Sequence, residues 1–503
     1  MEFDAAVRRA FCCGKTEEKK TLLPLDCSIV LPDYFPDVMK ILRYTARAVK
    51  APVAYGENEE TVSGTVNVEV SYVSEEGELC SCSQLQGFSH VFETAGKVAA
   101  AETDIRMGEL GCKAVSKRRI DLHGSIEVTL RVLCYEEKEY VSSISGGGAV
   151  LKTGEAETKI ITGEYAKEFT IEETGELGYG KPPFGKVLWS SAFAEVTECH
   201  VIQDKIVTKG EVRVSVLWQP EIGEENDEEG PFVSNFCFPV SRMTDAEGIE
   251  MTDICDAKFE AGFPEIRAED GGKTIGIKIR VGVFARSYKS ANLVFVKDAF
   301  SSDYEMKTAT EKLCFIDEAM PVNISENIFE ETDIPEEAEK VTDIWIETSE
   351  PRYNGEGKIS AGMKICMFAL DGDNNPLYFE KEAERNFALP MHGENAAFYN
   401  LCCGVRSCEF SVGRGKKAEI SAAVLIDGTI YTALSTECIT ACSIDENKKV
   451  EHREEALTLC FAEKGEEIWD IAKKYRVPMN DILLENGISE EVLLEKTMLV
   501  IPG

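Results

Sequence analysis

The stretch GTVNVEVSY, Gly64–Tyr72, alternates apolar and polar residues and ends on an aromatic side chain. Because successive side chains of a strand point to opposite faces of a sheet, this alternation predicts a β-strand with one buried and one solvated face. A second stretch of the same pattern, GEVRVSVLW, runs from Gly210 to Trp218, 146 residues further along the chain. The two stretches predict antiparallel β structure that occurs more than once.

Other anchors repeat in the same order. Ile41 in PDVMKIL and Val187 in PFGKVL are also 146 residues apart. Each copy ends on another alternating strand, IEVTLRV at 126–132 and IGIKIRVGVF at 275–284. A third and more divergent copy is indicated by AGMKICMFA, Ala361–Ala369, whose strand lacks the terminal aromatic. Ordered anchors at one offset indicate an internal duplication.

The predicted fold class is mainly β: three tandem antiparallel β-sandwich-like repeat domains followed by a small α+β domain of order βααβ. A chain of 503 residues is too long for one ordinary hydrophobic core, which agrees with several domains. The predicted boundaries are 1–26 for an N-terminal segment, 27–150, 160–300 and a degenerate 315–445 for the β domains, and 456–503 for the tail.

The charge balance restricts the partners. Against 54 basic residues the chain has 90 acidic ones, a net charge of −36, which repels nucleic acid and anionic membrane surfaces. The opening MEFDAAVRRAFC has no apolar core of a secretion signal, and no run of about eighteen apolar residues predicts a membrane span. We therefore expect a cytoplasmic protein whose partners are proteins or cationic surfaces.

The sequence offers little for catalysis. Eighteen cysteines and five histidines are scattered without a pair of C-x-x-C hooks, so we expect reduced, buried thiols and no metal site. The G-x-S-x-G elbow of serine hydrolases is absent, and the neighbours Cys199 and His200 on a strand would point to opposite faces. We predict no catalytic residue and no cofactor, and the chain is interpreted as a non-enzyme. An active site formed by paired carboxylates remains the open alternative.

The tail has a different periodicity. In EKGEEIWDIAKKYRVPMNDILLENG, Glu463–Gly487, apolar residues recur at i, i+3, i+4 and i+7 from Ile468 to Tyr475, which predicts an amphipathic helix. Pro478 opens a second helix and Asn486-Gly487 is a typical C-terminal cap. The strand-like stretches LTLCFA and TMLVIP flank the helices.

These tail residues resemble a LysM domain, the small module usually associated with glycans that contain N-acetylglucosamine. The resemblance is carried by Gly465, Ile468-Trp469, the segment Ile471–Tyr475, Leu483, Asn486 and the closing Leu499–Pro502. Upstream, LPDYFPDVMKILRYTARAV at 31–49 resembles the SPOCS-type domain of clostridial spore coats. The combination resembles the SipL family of spore coat morphogenetic proteins. It implies a scaffold at the forespore surface that docks on the ATPase SpoIVA through its tail and contacts other coat proteins through its β repeats.

The tail departs from the family pattern where LysM domains commonly read G-D-T, since Gly465 is followed by two glutamates. Alternation in the last strand places Met498 and Val500 outward, where beside Trp469 they predict an apolar patch that faces a protein. The candidate partner- or glycan-binding residues are Gly465, Glu466, Glu467, Ile468, Trp469, Asn486, Gly487, Met498 and Val500. Two alternatives stay open: a groove that binds peptidoglycan or chitin, and a Trp469 that only covers the edge of the tail core.

Overall fold

The computed structural model describes residues 3–221, 230–355, 357–389, 396–413, 415–450 and 457–502. Strand makes up 76% of the structure and helix 4%, which confirms the prediction of a mainly β protein. The strands fall into three successive β units, together called the β body, and a tail.

The first β unit packs two sheets face to face. Its strands are β1 (Asp4–Val30), β2 (Val38–Lys50), β3 (Ala54–Tyr55), β4 (Glu59–Ser74), β5 (Leu79–Glu93), β6 (Lys97–Met107), β7 (Gly111–Ser116) and β8 (Arg119–Ser145). In one sheet β8 pairs with β1, β6 and β7, and in the other β4 pairs with β2, β3 and β5. Alternate side chains of β4 and β8, among them Val68 and Leu130, are fully buried between the sheets. This is the predicted sandwich.

The second β unit repeats this layout. Its strands are β9 (Ala149–Glu176), β10 (Phe184–Ile202), β11 (Lys205–Pro220), β12 (Phe232–Asp245), β13 (Ile254–Ala261), β14 (Glu265–Glu269) and β15 (Thr274–Ser301). One sheet has the order β10-β11-β12, and in the other β15 pairs with β9, β13 and β14. Trp218 on β11 and Val281 on β15 are fully buried in the core between them.

The third β unit has the same two layers. Its strands are β16 (Tyr304–Asp333), β17 (Lys340–Thr348), β18 (Arg352–Tyr353), β19 (Lys358–Leu370), β20 (Pro376–Ala388), β21 (Ala396–Val412) and β22 (Lys417–Lys449). In one sheet β19 pairs with β17, β18 and β20, and in the other β22 pairs with β16 and β21. This second sheet is continuous with that of the second unit, because β16 also pairs with β9. The core includes Ile359 and Val424, both fully buried.

One strand pairing recurs in all three units. The equivalent pairs are Ile41–Tyr72, Val187–Trp218 and Val341–Ala369. In each unit the register shifts directly after this pair, so the same bulge is present three times. The shared register supports the duplication inferred from the sequence, and the third copy keeps the pairing without the aromatic side chain.

The units begin earlier than the sequence indicates. β1 starts at Asp4 and pairs with β8 along its whole length, so residues 4–26 belong to the first unit and are not a separate segment. β9 and β16 likewise start at Ala149 and Tyr304, before the expected 160 and 315. Charged residues such as Glu18 and Lys20 interrupt the apolar alternation, because this part of β1 is solvated on one side.

The early starts form three two-stranded ribbons: β1 with β8, β9 with β15, and β16 with β22. The ribbons pack against one another through a shared apolar cluster that includes Tyr140, Phe295 and Phe315, one from each unit. Each ribbon therefore buries its inner face against the other two units, and this contact makes the three sandwiches neighbours in space.

The tail follows the third unit. It consists of β23 (Leu457–Ala462), α1 (Ile468–Tyr475), α2 (Met479–Asn486) and β24 (Thr497–Pro502). β23 and β24 pair antiparallel, and the two helices cover one face of this two-stranded sheet. This is the predicted βααβ order.

Candidate functional site

Both tail helices are built as their sequences predict. Ile468, Ile471 and Ala472 of α1 are buried against the two strands. α1 ends at Arg476, whose left-handed backbone (φ 58°) directs its N–H to the carbonyl oxygen of Ala472. α2 ends at Gly487, whose φ of 63° would strain any other side chain.

The two loops at one end of the tail are hydrogen bonded to each other. The N–H of Gly465 donates to the carbonyl oxygen of Leu493 at 2.8 Å, and the N–H of Leu493 donates to Glu466 at 3.0 Å. The N–H of Ile468 donates to the carbonyl oxygen of Glu491 at 2.8 Å. Main-chain groups of both loops are thus already satisfied within the protein.

Asn486 has a structural part in the tail. Its side-chain amide donates to the carbonyl oxygens of Ile482, at 2.8 Å, and Val500, at 2.7 Å. Its Oδ1 accepts the N–H of Val500 at 2.7 Å. One side chain therefore joins the end of α2 to both main-chain polar groups of one residue in β24.

The outer face of the two-stranded sheet is apolar and exposed. Leu499 and Ile501 are buried and Met498 is 53% exposed, as the alternation in β24 predicts. On β23 the exposed fractions are 58% for Leu457, 59% for Leu459 and 71% for Phe461. Phe461 pairs with Met498, and Leu459 pairs with the half-buried Val500. We call Leu457, Leu459, Phe461, Met498 and Val500 the sheet face.

Trp469 is not part of the sheet face, which corrects the predicted patch. Only 4% of its surface is exposed, and its ring lies 5.4 Å from that of Phe300 on β15. Its Nε1–H donates to Asp298 at 2.9 Å. Trp469 and Lys473 are four residues apart in α1, so both reach the same side of the helix and contact the second unit.

Charged groups complete this contact between the tail and the β body. Lys473 donates to both carboxylate oxygens of Asp298 at 2.7 Å. Arg476 donates to the carbonyl oxygen of Tyr304 at 3.0 Å, and Lys152 on β9 forms an ion pair with Glu467. Burial by itself raises the pKa of Asp298, but the hydrogen bonds from Lys473 and Trp469 lower it below its usual range.

Asp298→Asn is expected to weaken the docking of the tail by about 1.5–3 kcal/mol, because charged hydrogen bonds to Lys473 and Trp469 are lost. A lowered pKa means that the ionised form contributes above the ordinary aspartate pKa and is lost as the pH falls below about 4. After correction for the intrinsic pH dependence of amide exchange, the protection of tail peptides should therefore decrease in acid in the native chain. The Asp298→Asn variant should lack this acid-dependent step, whereas an unchanged acid response in the variant would exclude Asp298 as its origin.

The predicted binding residues lie on different surfaces. Gly465, Glu466, Glu467 and Ile468 are in or next to the hydrogen-bonded loops, and Gly487 ends α2. Met498 and Val500 lie on the sheet face, whereas Trp469 points to the β body. Leu457, Leu459 and Phe461 were not predicted from the sequence, although their alternation with Cys460 and Ala462 is visible in LTLCFA.

A second polar site, the junction cluster, lies where the three β units meet. Glu102 of the first unit accepts hydrogen bonds from Lys50 at 3.1 Å and from Lys258 of the second unit at 2.6 Å. Lys258 also donates to Asn400 of the third unit at 2.6 Å. Glu102, Lys50 and Lys258 are all buried. Burial by itself raises the pKa of Glu102, but Lys258 and Lys50 hold it far below its usual range.

Two further carboxylates flank the cluster. Glu350 accepts a hydrogen bond from Lys50 Nζ at 3.2 Å, and Glu260 accepts one from the Lys50 N–H at 2.9 Å. Burial raises the pKa of Glu260, which lines a cavity of about 450 Å³. Glu350 lines a neighbouring cleft, and both carboxylates lie within 4.0 Å of Lys50 Nζ, which separates their charges. The geometry is that of a charged joint between units.

The described part of the chain contains no group of three or more His, Cys, Asp or Glu side chains arranged to hold a metal ion. All eighteen cysteines are free thiols, and burial raises the pKa of Cys82 to about 12, which keeps it protonated at neutral pH. None of the described helices has the length and apolar character needed to cross a bilayer.

Comparison of the chain with curated proteins and with solved structures gives no match. A family model matches residues 463–502 of the tail, which include the two loops, both helices and the last strand. The range begins directly after β23, which completes the βααβ order by pairing with β24. The tail of this chain is a LysM domain.

Proposed function

We propose that the chain is a non-enzymatic spore coat morphogenetic scaffold of the SipL type. Its LysM domain, a class of module that binds glycans or proteins, docks on a basement-layer protein of the coat that resembles the ATPase SpoIVA. The β units recruit or link other coat proteins. The chain acts in the cytoplasm of the mother cell, at the forespore surface.

The sheet face is the observation that carries this proposal. Four strongly exposed apolar side chains, Leu457, Leu459, Phe461 and Met498, lie together on six-residue strands of a very small domain. Contiguous apolar surface of this kind is typical of protein interfaces, whose centres are apolar and depleted of charge. The sheet face carries no ionisable side chain, whereas charged residues such as Glu463 and Glu495 lie at its border.

The loops favour a protein over a sugar. A LysM groove recognises glycans with main-chain and small polar groups of its two loops, and here Gly465, Leu493 and Ile468 use theirs across the loops. Glu466 and Glu467 replace the polar Asp-Thr of the common motif, and Glu467 is paired with Lys152 of the β body. A neutral glycan would have to compete with these contacts.

The rest of the chain supports a scaffold. Three sandwiches with one shared register provide repeated surfaces, and the LysM domain is held on them by Trp469 and Asp298. The junction cluster joins the three units through Glu102, Lys258 and Asn400. These features suit a protein that positions others.

Phe461→Ser is expected to weaken binding of the full chain to a purified SpoIVA-like ATPase at least about tenfold, the loss typical of an exposed aromatic anchor in an interface. The matched control is Leu484→Ser, since Leu484 is also an exposed apolar residue of the LysM domain (81%) but lies on α2. This control should leave affinity within about twofold of the native chain. Binding is measured by biolayer interferometry with the immobilised chain.

The competing function is glycan binding, and the same chain tests it with chitooligosaccharides and peptidoglycan fragments. The proposal predicts no saturable binding of these sugars at concentrations at which the ATPase saturates. Tight sugar binding that Phe461→Ser leaves intact, together with no binding of the ATPase, would replace the docking proposal by an anchor for peptidoglycan.

A further inference from the structure

We propose that the LysM domain binds its partner by strand addition: an extended segment of another protein pairs with the open edge of β23 and continues the sheet face. This inference rests on the proposed function and adds the binding mode and the kind of segment. It follows from the direction of the main-chain groups in β23 and β24, from the sequence of β23, and from the charge of the chain.

Asn486 shows which edge of the sheet is closed. Its side chain bonds both the N–H and the carbonyl oxygen of Val500, so these two groups point away from β23. In an antiparallel ladder the residue opposite then also directs its main-chain groups outward, and Val500 is opposite Leu459. The outer edge of β24 is therefore occupied by α2, and that of β23 is left open.

The same alternation gives the direction of the neighbouring residues. Leu457 and Phe461, two positions before and after Leu459, also direct their N–H and carbonyl groups to the outer edge of β23. Within the described residues, β24 is the strand paired with β23, and no other main-chain group bonds to these three residues. The open edge thus offers three evenly spaced N–H and carbonyl pairs beside three exposed apolar side chains.

β23 lacks the devices that normally protect an edge strand. Edges are usually guarded by charges, prolines or bulges, and LTLCFA has none of these. β20, at the edge of its sheet in the third unit, shows the contrast, because its central residues read EKEAER, 380–385. An unguarded apolar edge on a domain of this size is a template for a partner strand.

The occupant is a segment of a different protein. A second copy of a chain with a net charge of −36 would be repelled, and residues 457–502 alone contain nine acidic and five basic residues. A complementary segment has apolar side chains at alternate positions, to extend the sheet face, and lysine or arginine at its ends. Such a segment satisfies the open N–H and carbonyl groups, and a basic residue at its end shares or replaces the exposed ion pair of Glu463 with Lys496.

The test uses the full chain as bait for a displayed library of short random peptides. Peptides with alternate apolar residues and basic ends are expected to be enriched, and a synthetic peptide of this class is then used as the probe. Hydrogen exchange measured by mass spectrometry should show new protection over 457–462 when the probe binds. Enrichment of helical amphipathic peptides, protection confined to the loops, or no enrichment at all would overturn strand addition.

The Leu459→Pro variant distinguishes main-chain hydrogen bonding to the probe from side-chain contact with it. Proline removes one outward N–H and leaves the β23–β24 ladder bonds, so probe affinity should fall at least about tenfold. Leu459→Val keeps the N–H and should change affinity by no more than about twofold. If proline perturbs the domain, hydrogen exchange of the tail in the unbound variant will be faster than in the native chain. In that case the protection of residues 457–462 in the native chain on probe binding is the deciding measurement.

Three further outcomes can be distinguished from one another. A SpoIVA-like ATPase that binds native chain and Leu459→Pro equally overturns strand addition and leaves the proposed function standing. Dimers of the chain in sedimentation that the probe dissociates would show that the edge pairs with a second copy, which also overturns the proposal. If the native chain binds neither the probe nor the ATPase, both strand addition and the proposed function are overturned.

Discussion

Glu102→Gln is expected to lower the free energy of unfolding of the β body by about 3–5 kcal/mol, the usual cost of removing one partner from a buried charge cluster. Glu102 is shared by Lys50 and Lys258, and all three side chains are buried. Without the carboxylate, two ammonium groups from different units remain desolvated and close together. Urea unfolding of native and variant chains measures the loss.

The control and the pH profile identify the charge as the cause. Glu109→Gln changes an exposed glutamate of the same unit and should alter stability by less than about 0.5 kcal/mol. Because the pKa of Glu102 is lowered, its contribution is complete above the ordinary glutamate pKa and is lost only as the pH falls below about 4. The difference between native and variant chains should thus stay constant from neutral pH to about pH 5 and then decrease.

A second substitution tests the pairing itself. Adding Lys258→Met to Glu102→Gln removes the ammonium group whose ion pair was lost, whereas Lys50 keeps Glu350, and should recover part of the lost stability. If the double variant is less stable than Glu102→Gln by the full cost of a second core substitution, the two residues act independently. That outcome would contradict a joint ionic contact between the first and second units.

Trp469→Ala is expected to destabilise the LysM domain by about 3–5 kcal/mol, the range for loss of a buried large aromatic residue. The indole fills the space between α1 and Phe300 and donates to Asp298, so the variant loses packing and a hydrogen bond together. Hydrogen exchange should accelerate in peptides from 457–502 and at the contact around Asp298 and Phe300, and should remain unchanged in the rest of the β body.

Trp469→Phe is the matched variant. It keeps a ring against Phe300 but loses the bond to Asp298 and part of the indole volume, so a smaller cost of about 1–3 kcal/mol is expected. Both variants act on the stability of the domain, and their effect on partner binding should follow the fraction of folded tail. Loss of partner affinity with unchanged exchange would instead show that Trp469 contacts the partner directly.

Much of this architecture could be predicted from local alternation. GTVNVEVSY and its counterpart at 210–218 are central strands with one face in a sandwich core, and this is the case in which period two is most visible. The ribbons could not be predicted in this way. Residues 4–26 bury their apolar side chains partly against other units, and a local pattern does not show contacts that are distant in sequence.

The tail, too, could be predicted only in part from its sequence. The spacing of Ile468, Ile471 and Ala472 predicts α1, and the family resemblance at these positions is confirmed by the LysM match. The environment of Trp469 depends on Phe300 and Asp298, which lie far upstream, so the sequence could indicate a buried side of α1 but not its neighbour. Lys473 lies one turn after Trp469 on the same side of α1. This pair was the local signal that a second side of the helix contacts another part of the chain.

Each β unit begins and ends at the same place. Asp4 is paired with Ser145, Ala149 with Ser301, and Tyr304 with Lys449. The entry and exit of a unit are thus adjacent, so a gene segment that encodes one unit can be copied in tandem without breaking the ladders inside its neighbours. Between neighbours, the second and third units share one strand pairing, of β9 with β16. The ribbon tips are therefore the points at which unequal crossing-over would change the number of sandwiches while the LysM domain stayed at the end of the series.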